Sequence, residues 1–319
     1  MKKAILKLLP LIDKLICVFV VPAAFLMKAI RRLGVQRFPL CRKILLKIGV
    51  FPIRNHYYEP QFDNNCPRKP YDEDRILPGI DWNVSGQLEM LDKFCYSEEL
   101  TDLPQQKTDK IEFYFNNGAF ESGDAEYLYQ LIRTLKPKRL IEIGSGYSTL
   151  MAVKAINKNM KDSPDYNCDH ICVEPYEMPW LEEITVKVVR KKVEEIDLSF
   201  FSQLLENDIL FIDSSHIIRP EGDVLFEYLQ LLPILNKGVI VHVHDIFTPR
   251  NYPSAWLVEE VRFWNEHYLL EAFLTNNKEW KILGALNYLH HNHYSRLNRI
   301  APMLKSCREP GSFYLQKSL

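Results

Sequence analysis

The sequence predicts an α/β protein: a mostly parallel sheet covered by helices on both faces, preceded by a basic helical arm. Three observations carry that prediction. Short apolar stretches alternate with helix-spaced segments between residues 124 and 268, the pattern of strands joined by crossover helices. The first apolar stretch runs into a glycine-bearing turn, Gly144-Ser145-Gly146. Charge is also divided unevenly. Residues 1–54 hold twelve Lys/Arg and one acid, Asp13, a net of +11, whereas residues 55–319 carry a net of −12. A division into an arm (1–54), an irregular cap or linker (55–120) and a ligand-binding domain (121–319) follows.

With 319 residues, 47% apolar and 25% charged, the chain is long enough for a sizeable core, and composition excludes wholesale disorder and collagen-like structure. Seven cysteines, among them Cys66, are spread without a CxxC pair. They read as reduced thiols in a cytoplasmic compartment rather than as a disulfide framework or zinc knuckle.

In the arm, the uncharged run 15–27 is thirteen residues long and contains Pro22. As a helix it covers ~20 Å against a hydrocarbon core of ~30 Å, too short to span. Lengthening it toward Lys7 would bury Asp13 and Lys14, each costly at depth. No convincing small-residue cleavage site marks a signal peptide. Further on, Leu40, Ile44, Leu45 and Ile48 recur at helical spacing with Arg42, Lys43 and Lys47 between them, as in a helix lying in an interface. The arm is therefore expected to dock on an anionic membrane surface, leaving the protein cytoplasmic and peripheral on the inner face. Packing on the body or on a second copy, as a homo-oligomer, is the alternative. No nucleic-acid partner is expected.

Residues 51–117 show weak periodicity. Asp124 is expected to cap a helix that ends near Leu135, with Leu128, Leu131, Ile132 and Leu135 as its stripe and Pro137 as its stop. Strands are expected over 139–143, 171–173, 186–189, 209–212 and 238–243, and helices over 149–157, 222–235 and 258–268. Such sheets bind ligands at the carboxyl ends of their strands.

Two glycines after the first strand let the backbone turn and approach a ligand, and Glu142 offers an acceptor. The third glycine of a dinucleotide fingerprint would fall on Thr149. Glu174 ends the second strand 28 residues after Gly146, where an acid can hold a ribose diol. The fourth strand ends in Asp213-Ser214-Ser215-His216 and the fifth in His242-Val243-His244-Asp245, so their polar side chains should share one rim. A neutral histidine there could take a proton from a hydroxyl acceptor, or two carboxylates and an imidazole could hold a divalent ion. His242 lies deeper in its strand and is expected to pack. The His290, His291 and His293 group lacks an acid nearby and reads as a solvated helix end, and Tyr114, Phe115 and Phe120 read as core.

Taken together, Gly-Ser-Gly-Tyr-Ser-Thr (144–149), Ile-Asp-Ser-Ser-His (212–216) and His-Val-His-Asp-Ile (242–246) resemble the class I S-adenosylmethionine-dependent methyltransferases, over roughly residues 113–246. The resemblance implies a Rossmann-like sheet whose closing strands lie in 280–286 and 312–315, the last antiparallel. It implies that the Glu142–Ser148 loop, with Gly144, Ser145 and Gly146, cradles the methionine part of the cofactor. Glu174 would bind the ribose hydroxyls and Glu194 would lie near the adenine. The second half also resembles metal-dependent sugar O-methyltransferases of macrolide biosynthesis. There Asp213 would be a metal ligand, His216 the base and Asp245 a second ligand, and His244, standing where that group has an acid, a further ligand. The implied activity is methyl transfer from S-adenosylmethionine to a hydroxyl of a sugar or glycoconjugate, such as a lipid-linked glycan, assisted by Mg2+ or another divalent metal. Two rivals are a metal-dependent hydroxylase on the same fold and a non-catalytic, membrane-tethered binding module.

Overall fold

The computed structural model describes residues 2–62 and 69–319; Cys66 lies outside them. The chain forms two compact units, residues 1–68 and 69–319.

In the first unit, α1 (Lys2–Leu33) is one continuous helix with Pro10 and Pro22 inside it. Gly34, at φ 96°, turns the chain through a 3-10 turn (Val35–Arg37) into α2 (Pro39–Ile48), which ends on left-handed Gly49. Arg31 and Arg54 both reach Glu59, at 2.5 and 3.2 Å, so this segment folds back on the end of α1. The reading of a thirteen-residue stretch too short to span needs correction. Residues 8–33 form a single helix long and apolar enough to cross a membrane, because neither proline interrupts it and helix length is not set by the uncharged run alone.

The second unit opens with α3 (Val84–Lys93), so the stretch expected to be irregular holds a helix. Its Gln87 side chain is tied to the backbone of Trp82 and Ala285. Next comes α4 (Asp124–Leu135), whose N-cap is Gly123 rather than Asp124. Glu126 reaches back to accept from the Gly123 N–H at 2.5 Å and from Ser122 at 2.7 Å, half of a capping box. The Asp124 carboxylate instead accepts from the backbone N–H groups of Gly311 and Ser312.

The α/β series follows: β1 (Arg139–Ile143), α5 (Tyr147–Asp162), β2 (Asp169–Val173), β3 (Lys187–Val189) and β4 (Ile209–Ile212). Then α6 (Asp223–Phe226) passes through a π turn (Glu227–Leu231) into α7 (Leu232–Ile234), followed by β5 (Ile240–Val243), α8 (Glu266–Leu274), β6 (Trp280–Ala285), α9 (Leu286–Asn292), α10 (Tyr294–Ile300) and β7 (Phe313–Lys317). The sheet order is β3-β2-β1-β4-β5-β7-β6, with β7 antiparallel to both neighbours and the pairs from β3 to β5 parallel.

Period-two alternation assigns each sheet face its own core. Leu140, Ile209, Phe211 and Ile240 pack with α4 and α5, while Ile141, Ile143, Leu210, Ile212, Val241 and Val243 pack with the helical segments from α6 to α8.

The helix expected over 258–268 is not there. A π turn (Ala255–Glu259) ends, Val261 adopts φ 54°, and α8 begins only at Glu266. The Arg262 guanidinium stacks on the rings of Trp256 and Trp264, 4.3 and 4.4 Å from their centroids. The N–H groups of Asn265 and Glu266 both donate to the carbonyl of His216. These tertiary contacts replace the bonds a helix would have made.

Candidate active site

The strand order reverses between β1 and β4, and the two chains leaving those strands touch. A Cβ on Gly144, which sits at φ 78°, would come within 1.9 Å of the Asp213 carbonyl oxygen. Only glycine fits, by conformation and by space. Gly146 is different: its backbone is extended, and a Cβ there would meet only Met178 Cε at 3.7 Å. Its bareness leaves room for a ligand rather than relieving a clash.

Above this turn opens a crevice of about 500 Å³, bordered by Gly144, Ser145, Gly146, Glu174, Glu194 and Asp213 among others. The Glu174 carboxylate accepts from the N–H groups of Tyr176 and Glu177, both at 2.9 Å, and from Ser145 at 3.4 Å. It thereby joins the loops after β1 and β2. Arg190, which the sequence reading passed over, fastens the second loop by donating to the carbonyls of Glu174, Glu177 and Met178.

Glu142 does not border the crevice. It is buried beneath the loop, where it accepts from Ser148 at 3.1 Å and Thr149 at 2.9 Å and pairs with His170. An acid at the fourth position of β1 points into the sheet's helical layer, so it holds the loop from behind. With Cys172, Glu142 and His170 form one of two groups among the described residues whose ligand atoms lie within 4.8 Å of one another. Burial pushes the Cys172 thiol up, which disfavours the thiolate a metal needs, and Glu142 is already spoken for by three donors.

The other group is Asp213, His216 and Asp245, again within 4.8 Å. His216 Nε2 lies 3.2 Å from Asp213 and 3.5 Å from Asp245, while Nδ1 faces the fully buried Glu266 at 2.9 Å. Trp264 covers the ring at 4.4 Å between centroids. His216 and Asp245 both hold φ near 60°, a conformation that costs a non-glycine residue and persists where surroundings impose it. Burial alone would lower the His216 proton affinity, but Asp213 and Glu266 outweigh it and hold the ring well above an ordinary imidazole. The neutral ring expected from the sequence is therefore not the form this arrangement favours. Burial would raise Asp213, yet His244 and His216 bring it down to about 2.

His244 stands outside the converging ligand atoms. Its Nε2 is 3.6 Å from Asp245 and its ring packs against Phe120. A second cavity of about 150 Å³ lies there, bordered by Asp245, His244, Trp256 and Arg308. His242 is buried on Ser312 Oγ at 2.9 Å, as expected. Phe115 and Phe120 are core as expected, Phe120 also bordering the crevice, whereas Tyr114 is half-buried with its hydroxyl 2.9 Å from that of Tyr147. His291 does have an acid, Glu309 at 2.7 Å, and His290 is buried rather than solvated; the partner lies eighteen residues away in the chain. Glu266, Trp264 and Asp223, which holds Ser215 through its N–H and hydroxyl, carried no local signal.

A methyltransferase-domain family model matches residues 141–246, the segment from β1 to just past β5 that builds the crevice and both rims. With this strand order the chain is a class I S-adenosylmethionine-dependent methyltransferase, and S-adenosylmethionine is its cofactor. It belongs to one family with an uncharacterized protein of Archaeoglobus fulgidus, 30% identical over 173 residues that make up 50% of this chain and 76% of the archaeal one. Among solved structures, the plantazolicin methyltransferase BpumL in complex with SAH is similar at 13% identity and a TM-score of 0.37, over 62% of this chain and 83% of that one.

Proposed function

We propose that the enzyme is an O-methyltransferase whose acceptor is a hydroxyl of a sugar or polar glycoconjugate. The observation that supports this is the Asp213, His216 and Asp245 group beside the cofactor crevice, which Asp213 itself borders. In the proposed reaction the acceptor oxygen attacks the methyl carbon in line with sulfur. The carbon–sulfur bond breaks with its electron pair going to sulfur, giving S-adenosylhomocysteine. The hydroxyl proton would pass to His216 Nε2 once the ring is neutral, with a cation offsetting the Asp213 and Asp245 charge that otherwise keeps it protonated, and Glu266, on Nδ1, would then hold the tautomer that leaves Nε2 free to accept. Most of the remaining work is positioning, because the sulfonium is already reactive. The loop carrying Gly144, Ser145 and Gly146 would take the methionine part of the cofactor, Glu174 the ribose diol and Glu194 the adenine end.

The residues fit a divalent metal such as Mg2+ in one respect: three ligand atoms converge, two of them carboxylate oxygens. Asp213 and Asp245 would hold it, with His244 outside the set of converging atoms. When bound, the cation would offset the carboxylate charge around His216 and polarise the acceptor hydroxyl. The basic arm supports a cytoplasmic enzyme working at an anionic membrane, where a lipid-linked glycan is the natural acceptor.

The test is incubation with tritiated S-adenosylmethionine and extracted membrane glycolipids, with and without EDTA. Label recovered as an alkali-stable O-methyl sugar supports the reading, and its loss on chelation supports the ion. Label found only in protein or in alkali-labile esters overturns it.

A further inference from the structure

Over residues 15–27 of α1 no side chain is charged, and apolar groups surround the axis: Leu15, Ile16, Val18, Phe19, Val20 and Val21 succeed one another without a polar face. They are exposed, Phe19 at 76% and Val18 at 68%. A helix lying in an interface needs one face for water and one for lipid; over residues 15–27 this one has no charged face, although Lys3, Lys7, Lys14, Lys28 and Arg32 share one side of the helix before and after that stretch. A helix apolar all round is stable only inside a core or inside a bilayer. The candidate span is residues 8–33, none of its most apolar window being buried. Twenty residues from Leu8 reach ~30 Å, the thickness of the hydrocarbon core.

Asp13 and Lys14 then fall ~8–9 Å inside the N-terminal boundary, where helical side chains lean toward the N-terminus and Lys14 can reach toward the headgroups. In α2 charge is interleaved along the whole length: Leu40, Ile44 and Ile48 share one side, Lys43 and Lys47 flank it, and Arg42 lies opposite.

We infer that α1 crosses the membrane, that α2 lies along the surface on its body side, and that the body is cytoplasmic. The proposal rests on the membrane reading above and replaces surface docking by insertion. Orientation follows from the flanks. Lys28, Arg31, Arg32, Arg37, Arg42, Lys43 and Lys47 follow the uncharged stretch, against Lys2, Lys3, Lys7 and Lys14 before it. Basic flanks stay on the cytoplasmic side, which also carries the anionic lipid that α2 complements.

The experiment uses the full chain expressed in a bacterium. Membranes are washed with 1 M NaCl and then with alkaline carbonate, and intact spheroplasts are treated with a membrane-impermeant maleimide. Retention through both washes is expected. Lys3→Cys should be labelled on intact spheroplasts, while the native thiols react only after permeabilisation, and Cys17 only in detergent. The double variant Phe19→Asp, Val20→Asp should lower the membrane-bound fraction at least tenfold, with S-adenosylmethionine binding by calorimetry as the control for folding.

Release by salt would overturn insertion while leaving surface docking intact. A wholly soluble chain, including a soluble dimer, would overturn both. Native cysteines of the body labelled from outside, or a mature chain shortened by the mass of α1, would overturn the orientation. Loss of S-adenosylmethionine binding in the parent protein would instead count against the catalytic reading alone.

Discussion

The two rims of the crevice are built by different means. The one over β1 and β2 is made of backbone: a glycine that fits only where the β4 loop passes, a second glycine that leaves space, and a carboxylate collecting N–H groups from residues at most 29 positions away. The rim over β4 and β5 is made of side chains brought from afar. His216 meets Glu266 across fifty residues, and Asp245 and Trp264 come from other segments again. A backbone site tolerates little change in shape, whereas a side-chain site tolerates shape and is sensitive to charge and proton position.

This contrast is sharpened first at its extremes. Gly144→Val places atoms on the Asp213 carbonyl and forces a left-handed β-branched residue; we expect a loss of about 4 kcal/mol or more, read as a collapse of the urea midpoint. Gly146→Val, with open space around it, should keep that midpoint and abolish cofactor binding by calorimetry. Equal behaviour of the two variants would break the distinction between a glycine required by the fold and one required by the ligand.

At the other rim, His216→Ala should lower methyl transfer to membrane glycolipid by ~10²–10⁴-fold while cofactor affinity stays within about twofold. Glu266→Gln should cost activity too, but less, since it acts through the ring. A His216 variant that loses cofactor binding in proportion to activity would show that the two rims are not separable.

Glu174→Ala removes the proposed ribose acceptor, a charged hydrogen bond of roughly 1.5–3 kcal/mol, and should weaken S-adenosylmethionine about ten- to a hundredfold. An unchanged titration curve would remove Glu174 from the cofactor site.

An effect on stability alone concerns Glu126, behind the loop that borders both cavities. Burial raises its carboxyl to about 7 from an ordinary 4.5, against the pull of Gly123 and Ser122. The folded state thus keeps a proton that the unfolded chain gives up, so this contribution is full below about pH 4.5 and is lost as pH rises through 7. Glu126→Gln should flatten the fall in stability across that window, by up to about 3 kcal/mol. A pH dependence identical to the parent's would show that Glu126 does not carry the proton.

The legibility of each region follows the same division. The β/α alternation, both glycines, Glu174 and the acid–histidine endings of β4 and β5 could be read because each depends on residues within a turn or strand of one another. Glu142 was misread because the same loop signature suits an acid facing the ligand and one bracing the loop from beneath; only the strand's register, which sends it under Ser148 and Thr149, chooses. The helix expected over 258–268 failed because Trp256, Arg262 and Trp264 stack and the His216 carbonyl takes two N–H groups, contacts that periodicity does not register.

By itself, then, the sequence determined the class of fold and the glycine turn after β1, since strand propensity, alternation and a tight turn are local properties of the chain. Tertiary structure alone decided which histidine meets which carboxylate and where Glu266 and Trp264 stand. Side-chain charge and burial are settled by neighbours distant in sequence, and no local pattern encodes them.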